Sequence, residues 1–295
     1  MTMGQKIGEP SFSRDIEREI FETCAAIRPV SIPKLMLVAW RVKEWLEPLL
    51  YRTIAVQYKV AMEPYPIFRW DALLSAARSK SASFFRDHVR NIAIYAPYES
   101  DEAAAAEILP LCTGLTNLEI GSDGIAANHT MFANLQPTHL TMYLSPILRT
   151  FLPSHSFFAR ISHLVINDPV IDTHIEQCLP LLPCLTHLAI YDTPTRTILR
   201  ILTTCEGIAV FVDFRRYLDD DTAPTMDRRF VVMDRREILL DWQLGVYNGQ
   251  DFWAIAENII ARRPPGDNEA SEYRIHVVKD FPFPKRRLRP YFDDI

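Results

Sequence analysis

The sequence predicts an α/β chain: an N-terminal helical block, then a curved solenoid of parallel strands with helices on its convex side, closed by a C-terminal cap. Three observations predict it. A short apolar pattern recurs at near-constant spacing between residues 89 and 213, stretches of helical character separate its copies, and the first 56 residues carry helical periodicity. The expected division is a helical block over 10–56, a connector and N-terminal cap over 57–88, repeats over 89–235, and a C-terminal cap and tail over 236–295.

In the block, Ile16, Ile20, Phe21 and Cys24 fall on one helical face, while Glu17, Arg18, Glu19 and Glu22 take the wet side. Pro29 stops this helix. Ser31 is placed to cap a second one, with Pro33 in its first turn where a missing N–H costs nothing, and Leu35, Val38, Val42, Trp45 and Leu46 repeat at threes and fours up to Pro48. Read by periodicity alone, the block is a small helical cap with Trp40 and Trp45 as boundary aromatics.

Residues 17–22 (EREIFE) and 37–52 (LVAWRVKEWLEPLLYR) resemble the F-box, in particular the F-box-like proteins common in mushroom-forming fungi, over about 40 residues and in matching order. The resemblance implies that Ile16, Ile20, Phe21, Leu37, Val38, Trp40 and Trp45 dock a Skp1-like adaptor. It further implies a substrate-receptor subunit of a Skp1-cullin-F-box type ubiquitin ligase, with an unknown protein substrate held on the concave face of the solenoid. The Leu-Pro with which family members commonly grip the adaptor is replaced here by Pro10, Ser11, Phe12 and Ser13. The alternative is therefore a repeat scaffold that no longer binds the adaptor.

Residues 55–60 read as extended, and a helix is expected around 70–78. The repeated pattern then runs VRNIAI, LTNLEI, PTHLTM, ISHLVI, LTHLAI and IAVFVD, with fourth positions Ile92, Leu118, Leu140, Leu164, Leu188 and Phe211. Their steps of 26, 22, 24, 24 and 23 residues fit the period of leucine-rich repeats, which the pattern resembles in degenerate form. Such units bury their apolar face only against neighbours, so they stack. Pro97, Asp123, Ser145, Pro169 and Thr193 stand where the full consensus has Asn, so no asparagine ladder is expected to satisfy the turns. A further strand is expected at 230–233 and a helix at 251–263 capped by Asp251.

Side chains alternate along a strand, so the residues flanking the fourth-position leucines point the other way, in columns roughly 4.8 Å per strand. Asn117, His139, His163 and His187 form one predicted column, with Glu119, Thr141, Val165 and Ala189 beside it; these eight are the expected substrate-facing residues. Stacked imidazoles can hold a metal or sense pH. No Cys or carboxylate shares the column, so an open recognition stripe is expected and no metal or other cofactor.

Composition narrows the rest. A net charge of -5 lacks the basic footprint of a nucleic-acid binder, and no window approaches a membrane span. Five cysteines without a C-x-x-C pair fit buried thiols better than disulfides or zinc knuckles, and nine glycines form no phosphate loop. No hydrolase, metalloprotease or dinucleotide-binding motif occurs, which points to a non-catalytic protein of the cytoplasm or nucleus. An acidic run at 219–221, a basic cluster at 285–289 and an alternating segment at 273–278 read as a solvated loop, a solvated terminus and an edge strand.

Overall fold

Eight strands carry the architecture: β1 (Thr53–Gln57), β2 (Asn91–Tyr95), β3 (Asn117–Ile120), β4 (His139–Met142), β5 (His163–Ile166), β6 (His187–Tyr191), β7 (Val210–Arg215) and β8 (Phe230–Asp234). They form one parallel sheet in sequential order from β1 to β8. The computed structural model describes residues 12–57, 64–95, 98–215, 227–234 and 238–263. The expectations for 219–221, 273–278 and 285–289 lie outside them. Among the described residues no helix is long and apolar enough to cross a membrane.

The register of the sheet is the one the apolar pattern predicts. Ile92, Leu118, Leu140, Leu164, Leu188 and Phe211 are direct partners on consecutive strands, and the column continues to Ile54 in β1 and Phe230 in β8. All eight side chains are at most 1% exposed. Against this face pack the connecting helices α4 (Trp70–Ser79), α5 (Ala82–His88), α6 (Glu99–Ile108), α7 (Asp123–Ala127), α8 (Leu144–Leu148), α9 (Thr173–Cys178) and α10 (Thr195–Thr204), through residues such as Leu73, Ile108, Ile125, Ile147, Ile175 and Ile198. A one-residue slip would turn every leucine of the column to the opposite face, so burial of one face fixes the register.

Each repeat enters its strand by the same tight turn. Leu115, Leu135, Ile161, Leu185 and Ile208 donate their N–H to the carbonyl three residues back, on Cys112, Phe132, Phe158, Leu182 and Cys205. That position is buried in every copy. Cys112 and Cys205 occupy it, but Cys184 stands one residue before Leu185 instead of three, and it is exposed, as is Cys24. The expectation that all five thiols are buried is corrected at these two: Cys184 falls at a different position of the turn, and Cys24 lies in the N-terminal block. Burial pushes the Cys112 thiol up to about 12.

The turns leaving the strands lack an asparagine ladder, and carboxylates serve instead. Buried Asp168 accepts from the Leu144 and Ser145 N–H groups of the preceding repeat, and Asp213 accepts from Thr193 N–H at 3.3 Å.

The N-terminal block contains α1 (Arg14–Ile27), capped by Ser13, then α2 (Ile32–Leu35) and α3 (Trp40–Arg52). The single helix expected between Ser31 and Pro48 is broken at 36–39, where Ala39 is extended, and α3 runs through Pro48. Proline inside a helix costs about 3 kcal/mol; Val42 and Leu46, both fully buried with Ala25 and Ile32 in the block's core, hold the helix across it. β1 follows α3 without a linker, so the sheet starts at Thr53. Tyr51 sits among Phe68, Phe84 and Phe85, and Lys80 reaches back to Glu47 at 2.9 Å, which fixes the block against the first repeat.

The C-terminal helices α11 (Ile238–Asn248) and α12 (Phe252–Arg262) do not cap the end of the array. They lie across the sheet face opposite the connecting helices. Leu239 and Trp242 of α11 pack on Ala55 and Ala93, while Trp253 and Ala256 of α12 pack on Val165, Ala189, Val210, Val212 and Val231. The residues responsible are apolar pairs spaced for one helical face, which meet alanine and valine columns that would otherwise be exposed.

Candidate functional site

Two regions present functional side chains. In the block, Ile16 and Ile20 on α1 are 51% and 44% exposed, and Leu37, Val38 and Trp40 at the break before α3 are 84%, 63% and 72% exposed. Arg41 clasps Glu17 with two hydrogen bonds of 2.9 and 2.6 Å, which sets α1 beside the start of α3 and holds the Glu17 carboxyl below its usual range. Of the seven predicted docking residues, these five face outward. Phe21 and Trp45 are instead partly buried against the block's own core, because each is the inward neighbour on a helix that must also cover Val42 and Leu46.

On the sheet, Asn117, His139, His163 and His187 are aligned on β3 to β6 as predicted. The three imidazoles stack, with centroids 4.1 and 4.0 Å apart and planes within 15°. A feature that the sequence reading passed over holds them. Each histidine is preceded by a hydroxyl residue, Thr138, Ser162 or Thr186, whose oxygen lies 2.8–3.1 Å from the histidine Nδ1 and 3.0–3.2 Å from the backbone carbonyl just before the previous strand. A carbonyl only accepts, so the hydroxyl donates to it and takes the Nδ1–H in return. This network assigns the Nδ1–H tautomer and leaves Nε2 of each ring as an acceptor. The signal was visible as Thr-His-Leu, Ser-His-Leu and Thr-His-Leu in three successive copies. Burial, together with the neighbouring rings, pushes His163 down to about 3; burial also lowers His139 and His187, with Glu257 and Asp251 opposing it at His187.

The column is not an open stripe. Glu119, Thr141, Val165 and Ala189 are at most 9% exposed, and α11 and α12 cover them. The expectation that these four face a substrate is corrected: nothing of them is left for a protein surface to touch. Between the two helices remains a cleft lined by Asn117, Glu119, His139, His163, Asp241, Trp242, Asp251 and Trp253 among others. Trp242 donates its indole N–H to Asn117 Oδ1 at 2.8 Å, and Trp253 stands edge-on to both His163 and His187. Asp251 caps α12, and Asp241 accepts the Phe252 N–H, so the junction of the two helices carries two carboxylates. Burial, with Asp241 nearby, holds the Glu119 carboxyl well above its usual range, and its Oε1 has no hydrogen-bond partner among the described residues. Glu257 of α12 reaches His187 Nε2 at 3.1 Å. The carboxylate that the strand pattern lacked thus arrives from a helix 70 residues further along.

No family model matches the chain, and no curated protein does.

Proposed function

We propose that this protein is a substrate-receptor subunit of a Skp1-cullin-F-box type ubiquitin ligase, docked to a Skp1-like adaptor through its N-terminal block. One observation carries the reading: Ile16, Ile20, Leu37, Val38 and Trp40 remain exposed on a block that has its own closed core. Side chains of this size left outside a core mark an interaction surface when they gather on neighbouring elements. The packing of Tyr51 and the Lys80–Glu47 pair support the role further, because a receptor acts by holding its cargo at a fixed geometry from the adaptor. The protein substrate of this reading is held outside the covered histidine stripe. The alternative, a repeat scaffold without an adaptor, draws on the missing Leu-Pro.

Titration of the full chain with a purified Skp1-like adaptor separates the two. Binding in the micromolar range or tighter supports the receptor; no binding at adaptor concentrations of tens of micromolar leaves the scaffold.

A further inference from the structure

The histidine column acquires a partner that its own strands do not supply. His187 presents Nε2 to the Glu257 carboxylate of α12 at 3.1 Å, and the ring of His163 is stacked on that of His187. One ligand atom from each of the three lies within 4.8 Å of the others. We infer that His163, His187 and Glu257 form a site for a divalent transition-metal ion of the zinc class, with a remaining position open to water.

Three features argue for it. The first is an opposition of acceptors. Thr186 gives its proton to the Ser162 carbonyl and receives the Nδ1–H of His187, which leaves a lone pair on Nε2, 3.1 Å from Glu257 Oε1. Two acceptors at that distance repel unless a cation lies between them, either a proton, which makes the contact an ion pair, or a metal ion held by both. The second is outer-shell support. Metal-binding imidazoles characteristically donate their second N–H to a fixed acceptor, which sets the tautomer and the ring orientation. Here Ser162 and Thr186 are that acceptor for His163 and His187, and each hydroxyl is anchored in turn to a backbone carbonyl, of Thr138 and Ser162. The third is access. The Glu257 side chain is 55% exposed while His187 is only 12% exposed, so the site is walled by protein on the imidazole side and open on the carboxylate side.

The donor set selects the ion. Two neutral imidazoles and one carboxylate suit zinc and its neighbours, whereas magnesium and calcium prefer oxygen ligands throughout. The rings of His163 and His187 are 14° from parallel, so their lone pairs run side by side. Binding one ion therefore splays the two rings, and the stacking of His163 on His187 is given up for coordination. Trp253 of α12 meets both rings edge-on. This site is independent of adaptor docking, and its failure leaves that proposal untouched.

Isothermal titration of the full chain with zinc chloride tests it, with magnesium chloride as the comparison. The expected result is one-to-one zinc binding and no magnesium binding. Glu257→Gln and His187→Ala each weaken zinc binding at least tenfold, with an unchanged far-ultraviolet circular dichroism spectrum. Because Glu257 is half-exposed, its substitution leaves the fold intact and decides the matter even where His187→Ala does not fold. Thr186→Val, which keeps the side-chain shape and removes the hydroxyl, lowers affinity by about tenfold, the usual effect of losing an outer-shell partner. Absence of zinc binding overturns the inference. So does zinc bound by Glu257→Gln as tightly as by the unaltered chain.

Discussion

The helical block and the covered face of the sheet treat apolar and polar side chains in opposite ways. On the block, Leu37 and Trp40 stand 84% and 72% exposed, while on the sheet Glu119, a carboxylic acid, is 2% exposed under two helices. The difference follows from what each region has within reach. The block closes its small core with Ala25, Ile32, Val42 and Leu46, and among the described residues Leu37 and Val38 of the 36–39 turn stay exposed. The sheet offers a broad face of alanine and valine, and α11 and α12 cover it with Trp242 and Trp253, carrying the polar column under with them. Side-chain polarity alone thus does not tell which surface the chain covers with its own helices.

The contrast is broken most severely inside the sheet. Leu164 is fully buried in the central column, and Leu164→Ala is expected to cost about 2–5 kcal/mol by leaving a cavity. Leu37→Ala, at an exposed position, should stay within about 0.5 kcal/mol of the unaltered chain. Urea denaturation of both variants checks the pair, and equal losses would mean that the block and the sheet do not differ as described.

A smaller effect is expected at the docking face. The double variant Ile20→Ala, Trp40→Ala should weaken adaptor binding at least tenfold, since truncated interface anchors typically cost more than about 1 kcal/mol each. Its melting temperature should remain close to that of the unaltered chain. Phe21→Ala should instead lower the melting temperature, because that ring is partly built into the block's core.

The smallest effect concerns the buried acid. Glu119 has a folded-state pKa raised by burial, so the fold retains a proton that the unfolded chain releases. Its stabilising share is complete below the ordinary carboxylate pKa and is lost as the pH rises toward the folded value. Glutamine mimics the protonated carboxyl. Glu119→Gln should therefore gain in melting temperature relative to the unaltered chain as the pH goes from about 5 to 8, and a constant difference across that range would show that Glu119 is ionised in the fold.

The leucine column was legible because its period and its in/out alternation both report burial, and both agreed from Ile92 to Phe211. The histidine column was legible for the same reason, as an alignment. Its environment was not, since the covering comes from α12, whose Glu257 is 70 residues from His187 in the chain. Sequence spacing within the strands carries no trace of that contact. The break at 36–39 was missed because Leu35, Val38 and Val42 keep helical spacing across it, and Pro48 was over-weighted because fully buried Val42 and Leu46 hold the helix through it. The hydroxyl ladder of Thr138, Ser162 and Thr186 is written in the sequence as a hydroxyl residue before each histidine, but its bonds to Nδ1 and to a backbone carbonyl appear only in the fold.

The most direct measurement of the receptor reading is hydrogen–deuterium exchange of the full chain with and without a Skp1-like adaptor. Adaptor binding should slow exchange in α1, in the 36–39 turn and in the first turns of α3, and leave β4 to β6 and α12 unchanged. Slowed exchange in β4 to β6 or α12, with the block unaffected, would contradict docking through the exposed apolar face of the block.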